Sequence, residues 1–384
     1  MKKKIIIFSF IFIVLIGVRA WASTENTIDS DTQNKISNLY NYITNLKLEE
    51  ELFNDMSPKE FVEYIVKNGE APYTMKDYAG IITKYFFKEL SATMKIMISI
   101  IIVGLLCGLL KNLQSAFSSE KLCDIAYFAC YGVLIVLLSK GFLMAIGIAK
   151  DAIGDLTNLM AALIPVLLGL IVGVGGVSQV ATLDPLVLVV VNIVPRIYVN
   201  FIIPLILMGF VLNFVNNISK DYKISKLTKL CKQAVLWIQG IIMTIFIGIV
   251  TVRGITSSTL DAVTAKTAKF AVDNFIPVVG KALSDAVATV AGYSLVLKNA
   301  ISTLGLILVI FILLVPIIKL FLTSIIYKLT ASLLEPVSEN RITDCITSAG
   351  DSLVLIMSCL ICISVMFFIM ISIMASAGKF LLGT

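Results

Sequence analysis

Between residues 270 and 287 the chain reads FAVDNFIPVVGKALSDAV, which sets Asp273, Asn274, Lys281, Ser284 and Asp285 around an Ile276-Pro277-Val278 core. Three chemistries compete for this stretch. Lys281 and Ser284 are three residues apart, the spacing of a Ser-Lys nucleophile pair on one helix face. Lys281 and Asp285, four apart, make an ordinary ion pair on a helix surface. Charges beside a proline in an apolar chain also suit a polar passage or a docking point inside a membrane. The rest of the chain gives the catalytic reading no support. There is no histidine among the 384 residues, which removes Ser-His-Asp and Cys-His nucleophiles, histidine metal sites and histidine pH switches. Neither Gly-x-Ser-x-Gly nor a P-loop lysine motif occurs, and the GVGGV at 173–177 lacks the Lys-Ser/Thr of a phosphate cradle. The sequence assigns no catalytic residue, no metal ligand set, no cofactor and no nucleic-acid partner.

The elements that hold these residues are apolar. Hydrophobic residues make up 58% of the chain and charged residues 15%, against about 25% charged in soluble domains; the mean hydropathy is +0.96. Apolar runs near 20 residues long define an all-α integral membrane protein, a polytopic helical bundle. The runs are continuous, without the two-residue alternation of a β-barrel strand. Seven cysteines lie in or beside these runs and none lies in 23–90. Cys359-Leu-Ile-Cys362 has C-x-x-C spacing but reads as two small residues buried in an apolar helix.

Three regions follow from composition. Residues 1–22 carry Lys2-Lys3-Lys4, an apolar run and Ala20-Trp21-Ala22, the pattern of a secretory signal peptide cut after Ala22; an uncleaved anchor helix is the other reading. Both deliver the next segment outside the cytoplasm. Residues 23–90 hold 12 acids and 7 bases, net −5, and are expected to form a small helical extracytoplasmic domain. In it Ser57 as N-cap, Pro58 at the first helical position and Gly69 as the stop predict a helix over 58–68, with a second over 75–90. Residues 91–384 are net +7 and carry apolar segments near 94–110, 125–148, 157–181, 186–212, 233–252, 301–327 and 352–375.

Two segments are irregular. Pro165, Gly173, Gly175 and Gly176 interrupt 157–181, and Pro195 and Pro204 interrupt 186–212, which Pro185 immediately precedes. Such residues are expected to break membrane helices or fold them back. The linker 213–232 has five lysines against Asp221, and 111–124 has Lys111 and Lys121, which makes both cytoplasmic. An even number of crossings must then separate them, so 157–181 is expected to be re-entrant. The lysines of 220–232 also suit anionic lipid headgroups.

The opening stretch has an echo. LIPVLLG at 163–169 matches FIPVVG at 275–280, and IIPLI at 202–206 matches LVPII at 314–318. Pro165 to Pro204 and Pro277 to Pro316 are each 39 residues, so both pairs differ by a shift of 112. This reads as an internal duplication, 125–236 and 237–348, with Pro165, Pro204, Pro277, Gly280 and Pro316 as paired breakpoints. Candidate pathway or docking residues are Asp273, Asn274, Lys281 and Asp285, with Asp184 and Arg196 as ionisable groups in apolar surroundings. Residues 255–275 alternate apolar and basic positions over several turns, as an interfacial helix or the lining of a polar cavity would.

ALIPVLLGLIVGVGG, GITSSTLDAVTAKTAKFAVDNFIPVVGKALSDA, LVLKNAI and LLEPVSENRITDC together resemble the stage III sporulation protein AE family of endospore-forming bacteria. The resemblance covers essentially the whole chain and is strongest from about 155 to 350. It implies a multi-pass subunit, permease-like or scaffolding, of the mother-cell membrane complex that joins a forespore partner across two membranes. The implied partners are the lipid bilayer and the other stage III subunits, among them a cytoplasmic secretion-type ATPase and ring-forming proteins. The residues alone also fit a stand-alone secondary transporter of a small solute, or a purely structural anchor.

Overall fold

The computed structural model describes residues 30–44, 57–68, 75–116, 120–218, 224–275 and 280–377. The segment read as a signal peptide and Pro277 lie outside them. Every regular element among the described residues is helical: α1 (Ser30–Thr44), α2 (Pro58–Asn68), α3 (Met75–Ala116), α4 (Glu120–Gly173), α5 (Val177–Leu188), α6 (Val194–Ile197), α7 (Ile203–Ile218), α8 (Ser225–Phe275), α9 (Gly280–Leu334) and α10 (Asn340–Ser376). Two π-helical turns, Val189–Ile193 and Tyr198–Ile202, join α5, α6 and α7 into one rod.

The helix expected at 58–68 starts and stops at those residues. Its first turn is a capping box: the Glu60 N–H donates to Ser57 Oγ (3.2 Å), and the Ser57 N–H donates to Glu60 Oε2 (2.8 Å). These bonds, the backbone one first, hold the Glu60 carboxyl below its ordinary range. Phe61 and Val62 on α2 and Leu39 and Ile43 on α1 are buried against the long helices. The Tyr42 hydroxyl donates to the Asp155 carbonyl (3.1 Å). Burial, then the neighbouring Asp155 charge, pushes Tyr42 up to about 12.

Among the described residues six helices are long and apolar enough to cross a membrane: Thr83–Leu110, Phe128–Gly173, Val177–Asn216, Ser225–Val252, Thr289–Leu334 and Asn340–Ser376. The protein is an all-α polytopic membrane protein. α4 has 54 residues and α9 has 55, each about 80 Å at 1.5 Å per residue, against a hydrocarbon core of about 30 Å. The long helices therefore run well beyond a bilayer, and α1 and α2 pack on α4 and α9.

The two ends of the bundle are fixed by contacts. At one, Ser338 Oγ in the α9–α10 turn donates to the Gly104 carbonyl of α3 (3.0 Å), and Asp351 pairs with Lys328 (2.9 Å) and Lys232 (3.3 Å). At the other lie the α4–α5 turn, Ser294 against Gly173, and the buried Lys298, whose ammonium donates to the Ala377 carbonyl past the end of α10. In between, α9 and α10 pack along most of their length, with α3 and α4 on one flank and α7 and α8 on the other. Glycines let these helices approach: a Cβ on Gly305 would sit 2.5 Å from Leu163 Cδ2, the use of small residues expected where lipid offers no hydrophobic drive.

The structure corrects the re-entrant reading of 157–181. Segment 125–148 and residues 157–173 of the next belong to one helix that runs through Pro165 to Gly173, and 177–181 open α5. The polar residues between them lie on one face: Lys150, Asp151, Asp155 and Asn158 are exposed, while Ala149, Ala152, Ile153 and Leu156 are buried. A proline forfeits one backbone bond, a loss that neighbouring helices can accommodate in a membrane bundle, and Pro165 is exposed. Pro316 likewise lies inside α9. The helix ends instead at the glycines. The Gly176 N–H donates to the Ile171 carbonyl (2.9 Å) and the Gly175 N–H to Val172 (2.8 Å), a Schellman stop with Gly175 left-handed at φ 86. Between 111–124 and 213–232 lie two of the helices long and apolar enough to cross a membrane, Phe128–Gly173 and Val177–Asn216. The helix expected over 75–90 and the apolar segment 94–110 are likewise one helix, α3.

Pro195 and Pro204 are accommodated differently. The residue before each proline reaches back five positions: Val194 N–H donates to Val189 O, and Ile203 N–H to Tyr198 O, just before α7 carries Pro204. Each π-turn inserts one residue into the α register. The rod is underwound there but continuous.

Candidate functional site

The π-turns decide which residues share a face. Leu188, Asn192, Arg196, Asn200, Pro204 and Met208 are all exposed at a spacing of four. Leu188 to Met208 is 20 residues, and with two of them inserted the remaining 18 make five turns of about 3.6. In an unbroken α-helix the same residues would spiral into the core. The result is a polar triplet, Asn192–Arg196–Asn200, on an otherwise apolar outer face. Ile193 is 50% and Phe201 70% exposed beside it. Among the described residues no ion pair holds Arg196. An arginine facing hydrocarbon costs about 2.5–3.5 kcal/mol at a helix centre on insertion scales.

A second polar position lies where α3, α4 and α9 meet. Lys319 pairs with Glu89 (3.5 Å) in a crevice of about 140 Å³ that Thr93, Gly141 and Thr323 also line. A third crosses α8 and α10: the buried Gln239 donates from Nε2 to Cys359 Sγ (3.0 Å) and accepts from Ser358 Oγ at Oε1 (3.0 Å). This gives the Cys359-x-x-Cys362 pair a hydrogen-bonding role in helix packing, and both thiols are free. Among the described residues no three His, Cys, Asp or Glu groups stand close enough to hold a metal ion.

The other residues singled out in sequence are distributed as follows. Asp273 and Asn274 lie in α8, Gly280, Lys281 and Asp285 in α9, and Asp184 in α5; the side chains of Asp273, Asn274, Lys281, Asp285 and Asp184 lie outside the described residues. Gly173, Gly175 and Gly176 form the α4–α5 turn. Lys298, Gln239, Glu89 and Asp351 carry polar contacts that sequence reasoning gave no role. For Lys298 a signal was present, since it is the one charge between residues 286 and 318.

The arrangement is that of a polytopic helical membrane bundle with polar contact points and two short helices, α1 and α2, packed on its long members. A family model, that of stage III sporulation protein AE, matches residues 56–378. A stage III sporulation protein AE from Bacillus subtilis (strain 168) is 33% identical over 312 residues, covering 81% of this chain and 78% of that protein. The chain belongs to the stage III sporulation protein AE family. No solved structure matches it.

Proposed function

We propose that this chain is a multi-pass subunit of the stage III complex in the mother-cell membrane around the forespore. It serves there as a scaffold or permease-like member of a channel or secretion assembly. In this reading the N-terminal region, including α1 and α2, faces the space between the two membranes, and the lysine-rich linker 213–232 faces the mother-cell cytoplasm. A secretion-type ATPase and ring-forming subunits are its partners. The observation that carries the proposal is the family match over 56–378, combined with helices of about 80 Å that can hold a bilayer at one level and partners at another. In the same reading the paired sequence units 125–236 and 237–348 are two related halves of the membrane body.

Removing the chain should leave engulfment intact and lower the count of heat-resistant spores by orders of magnitude; normal spore counts would refute the proposal. A stand-alone transporter is the second reading, favoured by the Glu89–Lys319 crevice. It requires the purified chain, alone in vesicles, to move a small solute in a way that Glu89→Gln abolishes.

A further inference from the structure

We propose that the crevice between α3, α4 and α9 binds a small zwitterion, held between Glu89 and Lys319. The ligand class is an α-amino acid with a side chain no larger than that of alanine or serine. The inference concerns the chain alone and does not depend on its place in an assembly.

Register places the two charges. The Leu334 side chain on α9 stands where a Cβ on Gly104 of α3 would be. Glu89 and Lys319 each lie 15 residues before those positions (89 to 104, 319 to 334), about 22 Å along two parallel helices. The Ser338 hydroxyl bonded to the Gly104 carbonyl pins the two helices at that end. Charges carried on rigid helices keep a fixed separation.

As a salt bridge the pair is incomplete. Its 3.5 Å separation exceeds the about 2.7–2.9 Å of a charge-assisted hydrogen bond. Among the described residues neither group makes another ion pair. Most of the ammonium's donors and the carboxylate's lone pairs therefore remain open, in a crevice of about 140 Å³. Thr93 and Thr323 also line it, and their hydroxyls donate to the Glu89 and Lys319 carbonyls (2.8 Å each), which leaves both threonine oxygens as acceptors. Gly141, a further lining residue, has the Tyr327 hydroxyl where its Cβ would stand. That hydroxyl is fully buried and has no hydrogen-bond partner. Buried polar groups are normally satisfied, so donors and acceptors left over around one crevice define the chemistry it can hold.

Charge balance then selects the ligand. An anion alone would satisfy Lys319 and repel Glu89, and a cation alone would do the reverse. A carboxylate and an ammonium on one carbon answer both and leave the crevice neutral. Neutrality matters because the two side chains are only 35% and 22% exposed, and a stranded charge is costly there. The walls set the size. Ala92, Met144, Ala145 and Ile148 are apolar, and the volume equals about five waters at their liquid share of 30 Å³. Glycine, alanine and serine fit; an aromatic amino acid does not.

The test is equilibrium dialysis of the purified full chain in detergent against radiolabelled glycine and L-alanine. Wild-type protein should bind both saturably. Unlabelled serine should compete, whereas acetate and methylammonium at the same concentration should not. Glu89→Gln and Lys319→Gln should each weaken glycine binding by roughly 10-fold or more. Ala92→Phe, which fills the crevice and keeps both charges, should abolish it, and Lys88→Gln, outside the crevice, should change nothing. Glu89→Lys with Lys319→Glu should recover glycine binding, since glycine can enter turned end for end; that recovery separates a lost contact from a misfolded variant. Monodisperse wild-type protein that binds neither amino acid would overturn the proposal. So would competition by acetate or methylammonium equal to that of serine, or binding retained in Ala92→Phe or in both glutamine variants. Each of those results would leave the assembled-subunit reading standing, which spore counts test separately.

Discussion

A Cβ added to Gly108 would stand 2.5 Å from the Val337 carbonyl oxygen and 3.2 Å from its carbon, where ordinary contact begins at 3.4 Å. Gly108→Ala must therefore move the α9–α10 turn away from α3 by about 0.9 Å, the difference between those two distances. The turn cannot yield through a side chain, because the obstacle is backbone. The shift also stretches the Ser338 Oγ bond to the Gly104 carbonyl. Overpacking of this kind costs about 1–3 kcal/mol, and loss of the hydrogen bond about 0.5–1.5 kcal/mol. Gly132→Ala is the reference, since a Cβ there meets nothing within 4 Å; both variants gain the same helix propensity, about 1 kcal/mol. Gly108→Ala should accordingly be less stable than Gly132→Ala by about 1.5–4.5 kcal/mol. The assay heats detergent-solubilised protein and follows the monodisperse fraction by size exclusion. Val337→Ala should not rescue Gly108→Ala, whereas Leu163→Val should rescue Gly305→Ala, whose obstacle is a side chain. Equal stability of the two first variants, or rescue by Val337→Ala, would refute the packing argument.

Other outcomes follow from single contacts. Because the Glu60 carboxyl is held below its ordinary range, its capping contribution is full above the unfolded value and fades as pH falls through the lowered one; hydrogen exchange at 57–62 should lose protection on acidification, and Glu60→Gln should remove that dependence. Asp351→Asn should cost about 1 kcal/mol or less for each lysine it releases, since the side chains are 27–45% exposed, and a double-mutant cycle with Lys232→Gln should show coupling; additivity would contradict the pairing. Gly175→Ala, forced to φ 86, should destabilise by about 1 kcal/mol, while Gly173→Ala should move only the Ser294 hydroxyl.

The sequence carried the class and the caps more clearly than the lengths. Ser57-Pro58 located a helix start because capping chemistry is local. Lys150, Asp151 and Asp155 separate the apolar segments 125–148 and 157–181 in sequence, yet they face outward at helical spacing while Ala152, Ile153 and Leu156 face inward. Polarity alone does not separate a loop from the wet face of a helix longer than the bilayer. Pro165 and Pro195 illustrate the other gap. One is absorbed by an α-helix and the other follows a π-turn, a choice made by packing partners distant in sequence. Arg196 was visible as a lone charge in an apolar stretch, but the face it shares with Asn192 and Asn200 depends on those turns. Gln239 with Cys359 and Glu89 with Lys319 pair across 120 and 230 residues, and no local pattern announces them.

Purification of the tagged chain from solubilised membranes of cells just past engulfment tests the central claim most directly. The account predicts that the other stage III subunits, the ATPase included, are recovered with it in a fixed ratio and are lost when the lysines of 220–232 are neutralised. Recovery of the chain free of those subunits, from membranes in which they are abundant, would contradict it.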